Sequence, residues 1–162
     1  MQRIVLNLWF DTQAEEAANF YVSLIPNSKI DNITYYTESA VDVTGMPAGT
    51  VQTVDFTLDG QEYVAINGGP IFKFTPATSL MIYCSSQQEI DYLWDALCKE
   101  GEPSQCGWLT DKYGLSWQIV PREMVRLTTD PDPKKLDRVM SAMFKMTKLN
   151  IDELVAAYNQ ED

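Results

Sequence analysis

One local pattern occurs twice in this chain, and it constrains the fold more than any other feature. Thr12 with Glu15, and Ser86 with Glu89, have the spacing of a capping box, in which a hydroxyl and a glutamate satisfy the first amides of a helix. The two pairs lie 74 positions apart (86 − 12 = 74), and an alternating apolar segment precedes each pair. A recurrence in register with matching flanks indicates a duplicated unit.

The first copy reads as a strand, a helix and three further strands. Its predicted strands are residues 3–10, 29–37, 50–58 and 62–67. Pro26 ends the helix, and residues 38–49 are expected to form a loop. Asp59 and Gly60 give the last two strands a strong hairpin signal.

The second copy is shorter and repeats the same order. Its predicted strands are residues 78–84, 105–110 and 115–120. Its helix starts after Ser86, and Gly101 is the expected C-cap. Further on, Asp132 and Pro133 predict the start of a C-terminal helix, and we expect the C-terminal helices to cap the sheet.

We therefore predict an α+β fold of two tandem βαβββ modules, whose curled mixed sheets enclose a cleft, with C-terminal helices. The expected boundaries are residues 1–76, 77–122 and 123–162, which together form one globular unit. Leu136, Val139, Met140 and Met143 make an apolar stripe in the last segment. Methionine fills irregular gaps, so this stripe is interpreted as core or subunit contact.

Composition excludes several classes of function. The chain has no histidine, which removes serine–histidine and cysteine–histidine catalysis and the commonest metal ligand. Its net charge of −11 disfavours nucleic acid and anionic membranes as partners. Three cysteines without C-x-x-C spacing predict reduced thiols rather than disulfides or a zinc cage. Since the amino-terminal apolar run is too short for a membrane span, we expect a cytoplasmic protein.

The strand alternation divides the first sheet into two faces. The face expected to meet the helices carries Ile4, Leu6, Leu8, Val54, Phe56, Leu58, Val64 and Ile66. The other face is expected to carry Val5, Asn7, Trp9, Thr53, Asp55, Thr57, Tyr63, Ala65 and Asn67. In the second copy the comparable set is Met81, Tyr83, Ser116 and Gln118, and the side taken by Trp117 stays open.

Aromatic and polar side chains share these second faces, as in small-molecule pockets. We predict ligand contacts from Asn7, Trp9, Asp55, Tyr63, Asn67, Tyr83 and Gln118. The alternative is a solvated sheet face, which antiparallel sheets often have. Asp55 is the only candidate for a catalytic residue, and it could equally be a solvated charge or a cation partner.

Several segments resemble the PhnB-like group, also labelled demethylubiquinone methyltransferase-like, of the vicinal oxygen chelate superfamily. They include "LWFDTQAEEAANFYVSLIPNSKI", "LDGQEYVAINGGP" and "QCGWLTDKYGLSWQIVP". The resemblance implies paired βαβββ modules, a cleft and a homodimer. It also implies a divalent metal held by the first and last strands of the modules.

At the metal positions this sequence departs from the family pattern. Gln118 stands where the ligand glutamate would be, Asn7, Asn67 and Ser79 are the nearest polar residues, and Ile71 replaces a histidine common after the Gly-Gly-Pro turn. Neutral amides bind transition metals poorly. We therefore expect no metal and no cofactor; if a divalent metal binds, Gln118, Asn7 and Asn67 are its candidate ligands.

Three functions remain open. The first is binding of a small aromatic or cationic molecule without a transition metal, and the second is a metal-dependent lyase, isomerase or dioxygenase. The third is an interaction role through the methionine-rich helices. The first carries our prediction, with a homodimer as the assembly. We do not expect S-adenosylmethionine-dependent methyl transfer, because no glycine-rich loop follows the first strand.

Overall fold

The computed structural model describes residues 4–160. The chain divides into two compact units, Met1–Phe74 and Thr75–Asp162. The first, unit 1, contains β1 (Leu6–Phe10), α1 (Ala14–Leu24), β2 (Lys29–Tyr35), α2 (Glu38–Thr44), β3 (Val51–Leu58) and β4 (Gln61–Asn67). The second, unit 2, contains β5 (Ser79–Cys84), α3 (Gln87–Cys98), β6 (Glu102–Pro103), β7 (Trp108–Thr110), β8 (Ser116–Pro121), α4 (Glu123–Thr129), α5 (Pro133–Met143) and α6 (Ile151–Asn159).

The two units repeat one sheet topology, which confirms the predicted tandem βαβββ fold. Unit 1 has the strand order β1-β4-β3-β2 and unit 2 the order β5-β8-β7-β6. In each sheet the first strand pairs in parallel with the last, and the other pairs are antiparallel. Asp59 and Gly60 join β3 to β4 with φ values of 44° and 81°. The left-handed pair is what a tight hairpin requires, so this prediction is confirmed.

In unit 1, α1 covers one face of the sheet. Its buried residues are Ala14, Ala17, Ala18 and Tyr21. Three of the four are alanines, which let the helix backbone approach the sheet closely. On the sheet side the buried residues include Leu8, Phe10, Val54, Phe56 and Ala65. The opposite face of this sheet is therefore the one that α1 leaves open.

Two local predictions for unit 1 are wrong. Within the predicted loop at residues 38–49 the chain forms the short helix α2, which buries none of its residues and ends at Gly45 with φ of 71°. Because α2 has no apolar stripe, its sequence shows no helical periodicity from which it could have been predicted. Thr12 is also not the cap of α1: Gln13 is the N-cap residue and makes no capping bond with its side chain.

In unit 2, α3 packs on one face of the second sheet through Ile90, Leu93, Trp94 and Leu97. Ser86 is its N-cap, as predicted, and its side chain accepts a hydrogen bond from the Glu89 N–H. The predicted C-cap is wrong, because α3 ends at Cys98 with Lys99 as the C-cap. Gly101 serves close packing instead, since a Cβ there would lie 2.3 Å from the Thr110 carbonyl oxygen.

The C-terminal helices form a hydrophobic cluster among themselves. Its buried members are Met124, Leu127, Val139, Met146, Leu149 and Leu154, with Val120 of β8 and Met143 packed against them. Helix α4 was not predicted, whereas α5 begins as expected: the Asp132 carboxylate accepts from the Lys134 N–H at 2.9 Å. The methionine-containing stripe is thus partly core, through Val139 and Met143.

None of the helices within residues 4–160 combines the length and the apolar character needed to cross a bilayer.

Candidate functional site

Strand register defines the open face of unit 1. Residues paired across neighbouring strands lie on the same face. One row across the sheet is formed by Asn7, Val64, Asp55 and Asn32. The next row is formed by Trp9, Ile66, Thr53 and Thr34. The structure therefore brings Asn7, Trp9 and Asp55 to one face, as predicted.

The other two predicted residues of unit 1 lie on the face that α1 covers. Tyr63 pairs with Phe56, and their rings stack with centroids 5.4 Å apart. Burial raises the pKa of the Tyr63 hydroxyl. Asn67 pairs with Phe10 on the same side. The prediction assigned the residues of β4 to the wrong faces. Val64 and Ile66 lie on the open face, and Tyr63 and Asn67 lie on the face covered by α1.

Asn67 is built into the core of unit 1. It is 4% exposed, its side-chain oxygen accepts from the Ala14 N–H at 2.8 Å, and its amide nitrogen donates to the Val51 carbonyl at 3.0 Å. The Tyr36 hydroxyl donates to its backbone carbonyl. Asn67 therefore caps α1 from a distance of 53 residues along the chain, and a ligand could reach its amide only by displacing one of these bonds.

Trp9 is held on the open face by the turn that follows β4. Its indole N–H donates to the Gly69 carbonyl at 2.9 Å, and the Phe72 ring meets it edge-on with centroids 5.1 Å apart. A Cβ on Gly68 would lie 2.1 Å from the indole ring, so only glycine fits there. Ile71, next in the turn, is exposed. The Gly-Gly-Pro turn thus fixes the position and orientation of the Trp9 indole.

Asp55 lies in the same row as Asn7, two strands away, which corresponds to about 10 Å across a sheet. Asn32 donates to the Asp55 carboxylate at 3.4 Å. The face thus presents carboxylates, including Asp55 and Glu62, and neutral amides beside a large aromatic ring. Such a surface can bind a cation or orient a polar group.

The open face of unit 2 was predicted correctly. Register places Met81 beside Gln118 and Ser79 beside Ser116, with Tyr83 further along β5 on the same side. Gln118 donates from its amide to the Ser79 hydroxyl at 2.9 Å. Tyr83 is half-exposed. Trp117, whose side was left open, lies on the buried face beside α3.

Asp111 organises the turn before β8, and sequence reasoning did not single it out. It is 3% exposed. Its Oδ1 accepts from the backbone N–H groups of Tyr113 and Leu115, at 2.9 Å and 3.1 Å, and its Oδ2 accepts from the Trp117 indole at 2.8 Å. The "DKYG" turn followed by a tryptophan was the available signal. Asp111 fixes the start of the strand that carries Gln118.

The residues present do not fit the divalent metal that the resemblance implies. Asn7 and Asn67 lie on opposite faces of one sheet, so their side chains cannot meet at one ion. Gln118 supplies only a neutral amide oxygen, and its amide nitrogen donates to the Ser79 hydroxyl. Within residues 4–160 no three histidine, cysteine, aspartate or glutamate side chains come together as a metal-binding group. A tight transition-metal site needs such donors.

Comparisons with known proteins point to one family. Residues 2–120 match the family model described as 3-demethylubiquinone-9 3-methyltransferase. A putative 3-demethylubiquinone-9 3-methyltransferase, the PhnB protein of Bacillus cereus, is 39% identical, with a TM-score of 0.66 over 74% of this chain and 99% of that one. Protein PA1353 of Pseudomonas aeruginosa shares the fold at 17% identity, with a TM-score of 0.59 over 75% of this chain and 98% of that one.

A fosfomycin resistance protein of Listeria monocytogenes is 10% identical, with a TM-score of 0.49 over 74% of this chain and 89% of that one. The comparison with curated proteins found no significant match. The family model covers well over half of this sequence, and the Bacillus cereus protein is aligned over nearly its whole length. The chain therefore belongs to the PhnB-like, 3-demethylubiquinone-9 3-methyltransferase-like family.

Proposed function

We propose that this protein binds a small aromatic or cationic molecule on its open sheet faces, without a transition metal. The observation that carries the proposal is the way in which the turn after β4 holds the Trp9 indole on the sheet face. Gly68 makes room for the indole and the Gly69 carbonyl fixes its orientation. A glycine turn that orients an aromatic ring on a sheet face, rather than inside the core, is consistent with a stacking platform.

Charge and neighbouring groups suggest the class of ligand. Asp55 shares the open face with Trp9, and the chain carries a net charge of −11. A cation over an aromatic ring is attracted by the ring's quadrupole, and more so when the site is desolvated. Asn7, on the same face, offers an amide that could orient a polar substituent. An aromatic cation suits the carboxylate, the amide and the aromatic ring of this face.

Methyl transfer and metal-dependent chemistry have less support. Between β1 and α1 the chain reads Asp11, Thr12, Gln13, without the glycines that a dinucleotide-type loop needs. The first amide of α1 is already bonded to Asn67. The candidate metal donors are neutral and do not converge, as described above. The lyase, isomerase and dioxygenase activities therefore remain the second choice.

A thermal-unfolding screen of chelator-treated protein tests the proposal. The panel should contain aromatic cations, matched neutral aromatics and aliphatic cations. A ligand at 100 times its Kd adds about 2.7 kcal/mol to the free energy of unfolding, which corresponds to a rise of roughly 5–10 °C in Tm for a chain of this size. If no compound raises Tm, the binding proposal is wrong. If Mn²⁺, Mg²⁺ or Ca²⁺ is required, the metal-dependent alternative gains.

Two tyrosines of unit 2 provide a matched pair of variants. Tyr83 on the open face is 49% exposed, and Tyr92 on α3 is 54% exposed. We expect Tyr83→Ala to weaken binding by about tenfold, the cost of losing one stacking contact. Tyr92→Ala should leave the affinity unchanged. Equal effects of the two substitutions would place the ligand elsewhere.

We also propose that the protein is a cytoplasmic homodimer, an assembly that the family resemblance suggests. Native mass spectrometry at low micromolar concentration tests the assembly. A monomer mass throughout the concentration series would refute it.

A further inference from the structure

Unit 2 contains a cavity of about 530 Å³. Its floor is continuous with the open sheet face, because Trp108 pairs with Gln118 in the strand register and Ser116 lies two residues before Gln118 on the same side. The opposite wall comes from the end of α5 and the residue after it, Met143 and Phe144. The volume lies within the range typical of small-molecule sites.

The outer wall of the cavity is fixed to the sheet by backbone bonds. The Cys106 N–H donates to the Met146 carbonyl and the Gly107 N–H to the Thr147 carbonyl, both at 2.8 Å. Cys106 adopts a left-handed φ of 59° to make this contact. A Cβ on Gly107 would lie 2.8 Å from the Ile119 carbonyl oxygen. The segment after α5 is thus held against the β6–β7 loop, which sets the width of the cavity.

We propose that this cavity is the binding site for a neutral planar aromatic molecule, and that the C-terminal helices set its specificity. The inference goes beyond the proposed function, since it places a second site in unit 2, for a neutral ligand, apart from the Trp9 face of unit 1. None of the ten described residues that line the cavity has a charged side chain. A charged ligand would therefore lose its hydration there without a compensating ion pair.

The lining suits a flat, mostly apolar molecule with one or two polar substituents. Trp108 offers an aromatic surface, and the Met143 thioether can contact a ring favourably. Thr110 and Ser116 add hydroxyl groups that donate or accept. Phe144 is 63% exposed at the rim, and a bound aromatic molecule would cover part of that ring.

The wall lies outside the part of the chain that defines the family. The family model ends at residue 120, whereas Met143 and Phe144 lie beyond it. The Bacillus cereus protein is covered over 99% of its length by 74% of this chain, so about a quarter of this chain has no counterpart there. A ligand preference set by this wall would therefore come from outside the part of the chain that the family model describes.

Cys106 lines the cavity and is a natural reporter of its occupancy. The full-length protein is alkylated with iodoacetamide at about pH 8, with and without saturating Nile red, a neutral planar dye, and each cysteine is quantified by peptide mass spectrometry. We expect the dye to slow alkylation of Cys106 about fivefold or more. Cys98, half-buried on α3 and outside the cavity, is the internal control and should be unaffected. Cys84 should react little, because burial and the nearby Glu89 carboxylate raise the pKa of its thiol to about 11.

Two exposed aromatic residues of unit 2 complete the test. Phe144 at the cavity rim is 63% exposed, and Tyr92 on α3, outside the cavity, is 54% exposed. We expect Phe144→Ala to weaken dye binding about tenfold and Tyr92→Ala to leave it unchanged. Unchanged Cys106 alkylation under saturating dye, or equal effects of the two substitutions, would overturn the inference.

The thermal screen separates this failure from that of the proposed function. If panel compounds stabilise the protein while Cys106 stays unprotected from alkylation, the inference about the cavity is wrong and the proposed function stands. If neither the panel nor the dye binds, both are wrong. Protection of Cys106 with loss of dye affinity in Phe144→Ala supports the cavity as the site.

Discussion

Asn67 allows a sharp test that separates a structural role from a ligand-binding one. In the structure its side chain bonds to the Ala14 N–H and the Val51 carbonyl. Asn67→Ala would leave both groups without their partner beneath α1. We therefore expect this substitution to destabilise unit 1, whether or not any ligand is present.

The expected cost follows from the two lost hydrogen bonds. Leaving a buried polar group unsatisfied costs about 1–3 kcal/mol, and loss of a helix N-cap costs about 1 kcal/mol. The hydrogen bond to the Val51 carbonyl is only partly buried, so its loss should cost an amount at the low end of that range. We expect Asn67→Ala to lower the free energy of unfolding by about 3 kcal/mol.

The assay is urea unfolding followed by circular dichroism, with two comparison variants. Asn7→Ala removes an exposed asparagine from the same sheet and should change the free energy of unfolding by less than about 0.5 kcal/mol. Asn67→Asp keeps an acceptor for the Ala14 N–H and places a negative charge at the start of α1, which partly offsets the lost amide donor. It should fall between the other two variants. If Asn67→Ala is as stable as Asn7→Ala but binds ligand poorly, the capping argument is refuted.

Three further substitutions test other parts of the structure. Gly68→Ala should displace Trp9, since the added Cβ would overlap its ring, and we expect a shift in indole fluorescence and loss of ligand binding. Trp117→Phe removes the indole donor from the buried carboxylate before β8 and should cost about 3 kcal/mol in urea unfolding. The Tyr158 hydroxyl bond lowers the pKa of Asp130, so it stabilises the fold above the ordinary value of 3.8 and is lost as the pH falls through the lower folded value. Tyr158→Phe should therefore reduce the urea midpoint at about pH 7 and leave it unchanged near pH 2.

Features encoded over short distances could be predicted from the sequence. The hairpin at Asp59 and the caps at Ser86 and Asp132 each depend on residues within a few positions. Such signals act through local backbone geometry, which one sequence is sufficient to reveal.

Features that depend on distant partners were missed or assigned to the wrong face. In β4, Tyr63 and Ala65 alternate with Val64 and Ile66, so both faces are apolar and periodicity cannot decide which is buried. The polar end of that strand is buried because Asn67 caps a helix 53 residues earlier. The open face of unit 2 was predicted correctly because its alternation is unambiguous: Met81 and Tyr83 are exposed, whereas Leu80 and Cys84 are buried.

The long-range cap of α1 has a consequence for biosynthesis. Helix α3 carries its own cap in Ser86, so its first turn can be stabilised as soon as it leaves the ribosome. Helix α1 depends on Asn67, which the ribosome adds 53 residues after Ala14, and contacts of such sequence separation form late in folding. Strand β4 must also be paired before Asn67 is in place. Helix α1 should therefore become stable later than α3, although it is synthesised first. A chaperone that binds emerging chains would meet α1 before its stabilising partner exists.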